Sequence, residues 1–252
     1  MALRLFGIRP LLWPTLVTAP AVLGALALGT WQVQRLQWKN EVIAERQARR
    51  VAPPLAALPE KFDPAQHEFR KVRVSGRFLH AKEMHLAALT PRGNHAFHVV
   101  TPMRLEGGGV VLVNRGWVPR DRKDAESRSV GQVEGTVSVE GYLRVPAALT
   151  WAQRLAGVKN DPVKNVWLHA DLAEMERFAG QGEIKPYILE AGPGEAPGGF
   201  PVGGITRFEV PNEHLQYVIT WYAMALIGIV IYLLYHRRRA REIAGAGAAK
   251  AP

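Results

Sequence analysis

The 252-residue chain contains no cysteine. That excludes a disulfide framework, a thiolate metal site, a cysteine nucleophile and a CxxC redox pair. The short motifs that mark common enzyme chemistries are also missing: there is no HExxH, GxSxG, SxxK, P-loop or GxGxxG. Acidic residues number 22 against 32 Lys+Arg. They are scattered, so no carboxylate pair presents itself for acid–base work, and an enzyme reading has no nucleophile or base to rest on. The chain does not lack apolar residues. At 48% hydrophobic content it is too apolar for a compositionally disordered polymer and long enough to bury a core.

A net charge of +10 points on its face to nucleic acid or a membrane surface. The distribution decides between them. Residues 11–31 and 215–235 are two 21-residue runs without a charge. Each, as a helix, spans about 31 Å, matching a hydrocarbon core of roughly 30 Å. The second run has Tyr217, Trp221 and Tyr222 near one end and Tyr232 and Tyr235 at the other, an aromatic belt at both interfaces. Residues 1–35 carry +3, residues 36–213 carry +3 and residues 236–252 carry +4. Most of the charge therefore sits at the membrane ends. The cluster Arg237, Arg238, Arg239 and Arg241 places the C-terminus in the cytoplasm, and two spans return Arg4 and Arg9 to the same side. Arg4 and Arg9 before an apolar run also fit a secretory signal, with Ala25-Leu26-Ala27 as a cleavage site. The length of the run and the helical pattern beyond it favour a retained span. No Arg/Ser-rich transit segment precedes it, so the membrane expected is a bacterial inner membrane. The lipid bilayer is thus the partner, and nucleic acid is not.

The expected fold class is an α+β membrane protein: two transmembrane helices flanking a mostly antiparallel, barrel- or sandwich-like periplasmic β domain. The organisation reads as a cytoplasmic N-terminus (1–10), a first span (11–31), a helical extension (32–50), a Pro-rich stiff linker (51–67), a β-rich domain (68–210), a second span (211–235) and a basic tail (236–252) whose end, AGAGAAKAP, is low-complexity and disordered. Strands are predicted at 68–78, 84–89, 96–105, 110–117, 133–144, 164–169, 186–191 and 204–210, separated by turn residues. One helix is predicted at 170–179, with Asp171 at its start.

Among the candidate ligands, His67, His80, His85, His95, His98 and His169 form no metal-binding spacing and carry no assignment. His214 differs. It follows Pro211-Asn212-Glu213 at the start of the second span, where the helix dipole disfavours an imidazolium. A neutral imidazole at the edge of hydrocarbon is a competent axial ligand for haem iron. Tyr217, Val218, Trp221, Ala225 and Gly228 lie on or near the same face, aromatic near the histidine and small deeper in, a shape that could take a flat macrocycle and an apolar tail. The plain alternative is an interfacial histidine bonded to protein or headgroups, with the small residues serving helix packing. Ala21, Ala25 and Gly29 offer such a face on the first span.

Several blocks resemble the surfeit-locus family of cytochrome c oxidase assembly factors. They are Gly29-Thr30-Trp31-Gln32 with Arg35 and Lys39, Val74-Ser75-Gly76-Arg77-Phe78, Val100-Thr101-Pro102, VLVNRGWVP at 111–119, Val139 to Arg144 with Pro146, Asn165-Val166-Trp167 with Asp171, and NEHLQYVITWY at 212–222. The resemblance spans the chain in the family's order. It implies a non-enzymatic role in the biogenesis of haem-copper oxidases, with haem a as transient cofactor and the family's haem-associated histidine at His214. Tyr217 and Trp221 are then its cofactor-binding neighbours, and oxidase subunit I and haem a synthase are the implied partners. Glu213, Val218 and Ala147 depart from the family's usual Asn, Ala and acidic residue. A competing reading is a membrane-anchored scaffold that binds oxidase subunits without carrying haem, with Asn114-Arg115-Gly116-Trp117 as docking surface. That block could equally be a structural turn with a core tryptophan. Copper delivery is disfavoured because Cu(I) carriers use thiolates.

Overall fold

The computed structural model describes residues 10–90 and 93–248. Arg4 and Arg9 lie outside the described residues, as does the end of the tail from residue 249. The chain divides into two compact units, residues 1–45 with 209–252 and residues 46–208.

The first unit is a pair of long helices, α1 (Leu12–Val51) up to residue 45 and α5 (His214–Ala248). Both are long and apolar enough to cross a membrane, and only 11% and 6% of their most apolar stretches are buried. Core helices of a soluble domain would hide that surface. Here Val17, Leu23, Ile219, Leu226 and Leu234 stand exposed. The protected positions of α1 include Thr15, Thr18, Val22, Ala25, Gly29 and Gln32, and those of α5 include His214, Val218, Trp221, Ala225, Gly228, Tyr232 and His236. Alternating steps of three and four mark a seam between two helices. Their order is antiparallel: the Thr15 hydroxyl bonds the Tyr232 hydroxyl at 2.7 Å, the Tyr222 ring lies on Gly29, and Asn212 donates to Asn40 at 2.9 Å. A Cβ on Gly29 would stand 3.1 Å from that ring, so the missing side chain lets the helices approach. Ala21 is exposed; the seam runs through Val22, Ala25 and Gly29 instead. α5 runs to Ala248, so the first residues of the tail expected to be disordered are helical.

The second unit is a β barrel. Its strands are β1 (Lys71–Phe78), β2 (Met84–Leu89), β3 (His95–Leu105), β4 (Val110–Pro119), β5 (Thr136–Arg144) and β6 (Ile184–Ala191). The sheet order is β1-β5-β6-β4-β3-β2, and β1 also pairs with β3, closing a five-stranded barrel with β2 added outside. All pairings are antiparallel except β4 with β6. The result is a five-stranded Greek-key type of barrel. The apolar run Val110-Val111-Leu112-Val113 explains the position of β4. Alternate side chains point to opposite faces, and both faces are covered. Val111 and Val113 enter one core with Val72, Met103, Leu143, Tyr187 and Leu189, while Val110 and Leu112 enter another with Met84, Trp167, Met175 and Ile188. The second core is completed by α4 (Leu172–Ala179), capped by the Asp171 carboxylate and closed by Gly180 in the left-handed region.

Three expectations are corrected by the barrel. The segment 51–67 is no linker. Leu55, Leu58 and Phe62 pack on the first core, Leu55 bridges to Val72, and α2 (Pro64–His67) forms within it. The predicted strand 164–169 is a turn, because Asn165 takes φ 50° and only Trp167 bridges to β2 through its backbone. The predicted strand 204–210 joins no ladder. β4 and β6 are already paired on both edges, and the segment is held instead by Phe208 against Phe69 and Tyr142. A short helix missed from sequence, α3 (Trp151–Leu155), carries a Thr150/Gln153 capping box.

Candidate functional site

His214 is the first residue of α5 and is half-buried. Its backbone N–H faces the Asn212 side-chain oxygen at 3.4 Å, so Asn212 does cap the helix start, and Asn212 is itself held by Asn40. The ring is held from α1: Nδ1 lies 2.6 Å from Oε1 of Gln32, a residue only 9% exposed. No hydrogen bond engages Nε2 among the described residues. A histidine anchored through one ring nitrogen with the other unengaged is the donor arrangement an axial ligand to haem iron requires, and His214 fits that role.

The expected neighbours separate. Trp221 is half-buried two turns further along the α1-facing seam, whereas Tyr217 is 46% exposed. The stripe read as room for a macrocycle and its tail is filled by α1. Ala225 is buried, and a Cβ on Gly228 would stand 3.2 Å from Val22. The small residues therefore serve helix packing, and the surface left beside His214 is on the Tyr217 side. Sequence reasoning quoted Gln32 without giving it a role. The signal was present: Ala25, Gly29 and Gln32 continue a seam spacing, and an amide on such a seam needs a partner.

At the other end of the helix pair His236 is fully buried. Its Nδ1 lies 2.8 Å from the Tyr232 carbonyl and its Nε2 accepts the Leu11 N–H at 3.1 Å. It closes the start of α1, where backbone N–H groups have no helical partner.

In the β domain, the block that could be a docking surface or a structural turn is mostly interior. Asn114 and Arg115 are buried, and Gly116 sits at φ 120° where a Cβ would lie 1.9 Å from the Val202 carbonyl oxygen. Arg115 belongs to a buried ion cluster around Glu83. Arg128 grips both Glu83 oxygens, one at 3.0 Å, His85 Nε2 lies 2.8 Å from Oε1, and Arg115 Nη1 stands 4.0 Å from Oε2. Asn165 ties the cluster to Trp167, donating to the Glu83 carbonyl at 2.7 Å and accepting the indole N–H at 2.9 Å. Burial would raise the Glu83 carboxyl, but the hydrogen bonds from His85 and Arg128 and the guanidinium charge outweigh it and hold it at about 2. Burial lowers Arg115 to about 10, and its guanidinium is otherwise met by the Gly131 carbonyl and the Phe78 ring. This is a structural ion network. The remaining histidines have local roles: His67 accepts the Asp63 N–H at 2.9 Å, and His80 lies 2.9 Å from the Val133 carbonyl. His98 and His169 line a cleft of about 780 Å³ with Trp117, Glu190 and Arg207. Burial, then the Arg207 charge, pushes His98 down to about 4.

Fold and site together define a class: a closed β barrel set in the sequence between two long helices that leave their apolar faces exposed and pair through a partly buried glutamine–histidine contact. The chain belongs to the SURF1 family, whose model matches residues 19–226. It is 36% identical over 218 residues to Surfeit locus protein 1 of Homo sapiens, covering 80% of this chain and 70% of that protein. The mouse (Mus musculus) protein of the same name is 37% identical over 216 residues, covering 79% and 68%. A SURF1-like protein of Monosiga brevicollis is 35% identical over 239 residues, covering 90% and 88%.

Proposed function

We propose that this chain is a non-enzymatic assembly factor for haem-copper cytochrome c oxidase, which holds haem a through His214 and passes it to subunit I. Family membership supports the assembly role. The observation that carries the haem reading is His214 itself, oriented through Nδ1 by a buried side chain and with Nε2 unengaged. Haem a supplies an iron able to take an imidazole ligand. His214 would bind it, Asn212 and Gln32 would keep the residue and its ring in place, and the exposed Tyr217 would provide aromatic contact. A single strong ligand suits a carrier, which must release its cargo. In this reading α1 and α5 cross a bacterial inner membrane, both termini lie in the cytoplasm and the barrel is periplasmic. The exposed apolar faces and the four arginines after Tyr235 support that topology. Haem a synthase, as donor, is the second expected partner.

The test is the visible spectrum of protein purified from cells that make haem a, for the native chain and His214→Ala. The native chain should carry a haem spectrum that the variant loses. Haem-free native protein, with oxidase assembly still dependent on it, would leave the scaffold reading. A topology reporter fused after Pro252 should report cytoplasm, and a periplasmic signal would overturn the two-span arrangement.

A further inference from the structure

We propose that Gln32 is a positioning residue that fixes His214 in the tautomer protonated at Nδ1, so that Nε2 is kept as a bare lone pair. The bond between them is 2.6 Å long and ends on Oε1 of the amide. An amide oxygen can only accept, so the proton lies on Nδ1. A neutral imidazole with its proton on Nδ1 has its lone pair on Nε2, and nothing among the described residues bonds that atom.

The position of Gln32 argues for the same role. It is the polar end of a seam otherwise built from Thr15, Thr18, Val22, Ala25 and Gly29. A buried amide is costly there unless it is bonded, and the bond Gln32 makes is to His214. The backbone of His214 is fixed separately by Asn212 and Asn40, leaving ring orientation and tautomer as what Gln32 decides.

His236 gives the comparison within the same helix. Twenty-two residues is close to six turns, so both histidines face α1. Both direct Nδ1 at a carbonyl oxygen, Gln32 Oε1 in one case and the Tyr232 backbone in the other. They differ at Nε2. That of His236 accepts the Leu11 N–H and is spent on structure; that of His214 is not. One end of the helix pair uses its second nitrogen to close a helix, and the other reserves it.

What the lone pair is for rests on the haem reading above; the tautomer does not, and the experiment keeps them apart. Full-length, haem-free protein carrying ¹⁵N-histidine is studied in detergent micelles by two-bond ¹⁵N–¹H correlation, with His236 as internal reference. The native chain should show His214 protonated at Nδ1. Gln32→Leu should move it towards the Nε2-protonated form while His236 stays unchanged. Gln32→Glu, whose carboxylate can only accept, should restore the Nδ1 form. A native His214 protonated at Nε2 would mean that the amide donates instead, and would overturn the proposal. So would a tautomer unmoved in Gln32→Leu. If Gln32→Leu does not fold, the native spectrum and Gln32→Glu still decide. Haemin titration of the same proteins is the second arm. Gln32→Leu should bind about tenfold more weakly and Gln32→Glu near native affinity. Equal haemin binding by the native chain and His214→Ala would sink the haem reading, while the tautomer result would stand.

Discussion

Replacing Glu83 by Gln should be among the most damaging isosteric changes in the β domain. The carboxylate is buried with two guanidiniums, Arg128 in direct contact and Arg115 at 4.0 Å. Removing its charge leaves two like charges in the interior with no counterion. A carboxyl held at about 2 against an ordinary 4.5 corresponds to roughly 3 kcal/mol in favour of the folded, ionised form. Breaking a buried pair by removing one partner typically costs about 3–5 kcal/mol, in line with that figure. Arg115→Met should cost less than half as much, because a one-to-one Glu83–Arg128 pair remains. The assay is hydrogen exchange of the full chain in detergent, read on β2 and β4, which the cluster joins. A loss of about 3 kcal/mol accelerates exchange of their most protected amides roughly a hundredfold. A loss below about 1 kcal/mol for Glu83→Gln, or an equal loss for Arg115→Met, would refute the charge accounting.

The same group sets an acid limit. The folded pKa lies below the ordinary value, so its contribution is complete above about pH 4.5 and is lost as pH falls towards about 2. Glu83→Gln should flatten that part of the stability profile, as seen by acid titration of β-strand exchange.

Other outcomes follow from the geometry. Gly116→Ala combines a left-handed φ with a 1.9 Å approach to Val202 and should cost more than about 3 kcal/mol, measured by the same exchange experiment. Gly29→Leu should push α1 off the Tyr222 ring and destabilise the helix pair by about 1–3 kcal/mol, seen as a lower thermal midpoint in detergent, with Gly29→Ala much milder. His236→Ala leaves the Leu11 N–H without its acceptor and should cost about 1–3 kcal/mol, read as faster exchange at the start of α1. At the other end of the helix pair, His214→Ala should cost a similar amount, because it leaves the buried Gln32 amide without its partner.

Where the sequence alone was sufficient, the reason was periodicity or an unbroken run. Two uncharged stretches the length of a bilayer gave α1 and α5, and alternating β residues gave the six paired strands within a few positions. Asp171 marked the start of α4 because a capping carboxylate is a local signal. Failures came where local pattern met long-range constraint. Residues 204–210 alternate as a strand does, but a strand needs a free edge and the closed barrel offers none there. Residues 51–62 read as a linker because Pro and Ala carry no period, and only the barrel supplies the core that Leu55, Leu58 and Phe62 fill. The block Asn114-Arg115-Gly116-Trp117 stood open between a docking surface and a structural turn, and only the barrel shows that its charge answers Glu83, thirty-two positions away in the chain.

For the candidate site the division is sharper. His214, at the entrance to an apolar helix and within a block resembling a known family, could be chosen from sequence alone. The chain also fixed the helix start it sits on. Its chemical state could not be chosen that way. Which ring nitrogen carries the proton depends on an oxygen 182 positions earlier, brought to 2.6 Å when α1 and α5 pair through Ala25, Gly29 and Ala225. Whether the small residues of α5 form a groove or a seam was likewise decided only when α1 filled the space. A ligand's identity is a property of one residue, whereas its tautomer and the room around it belong to its neighbours, and only tertiary structure chooses those.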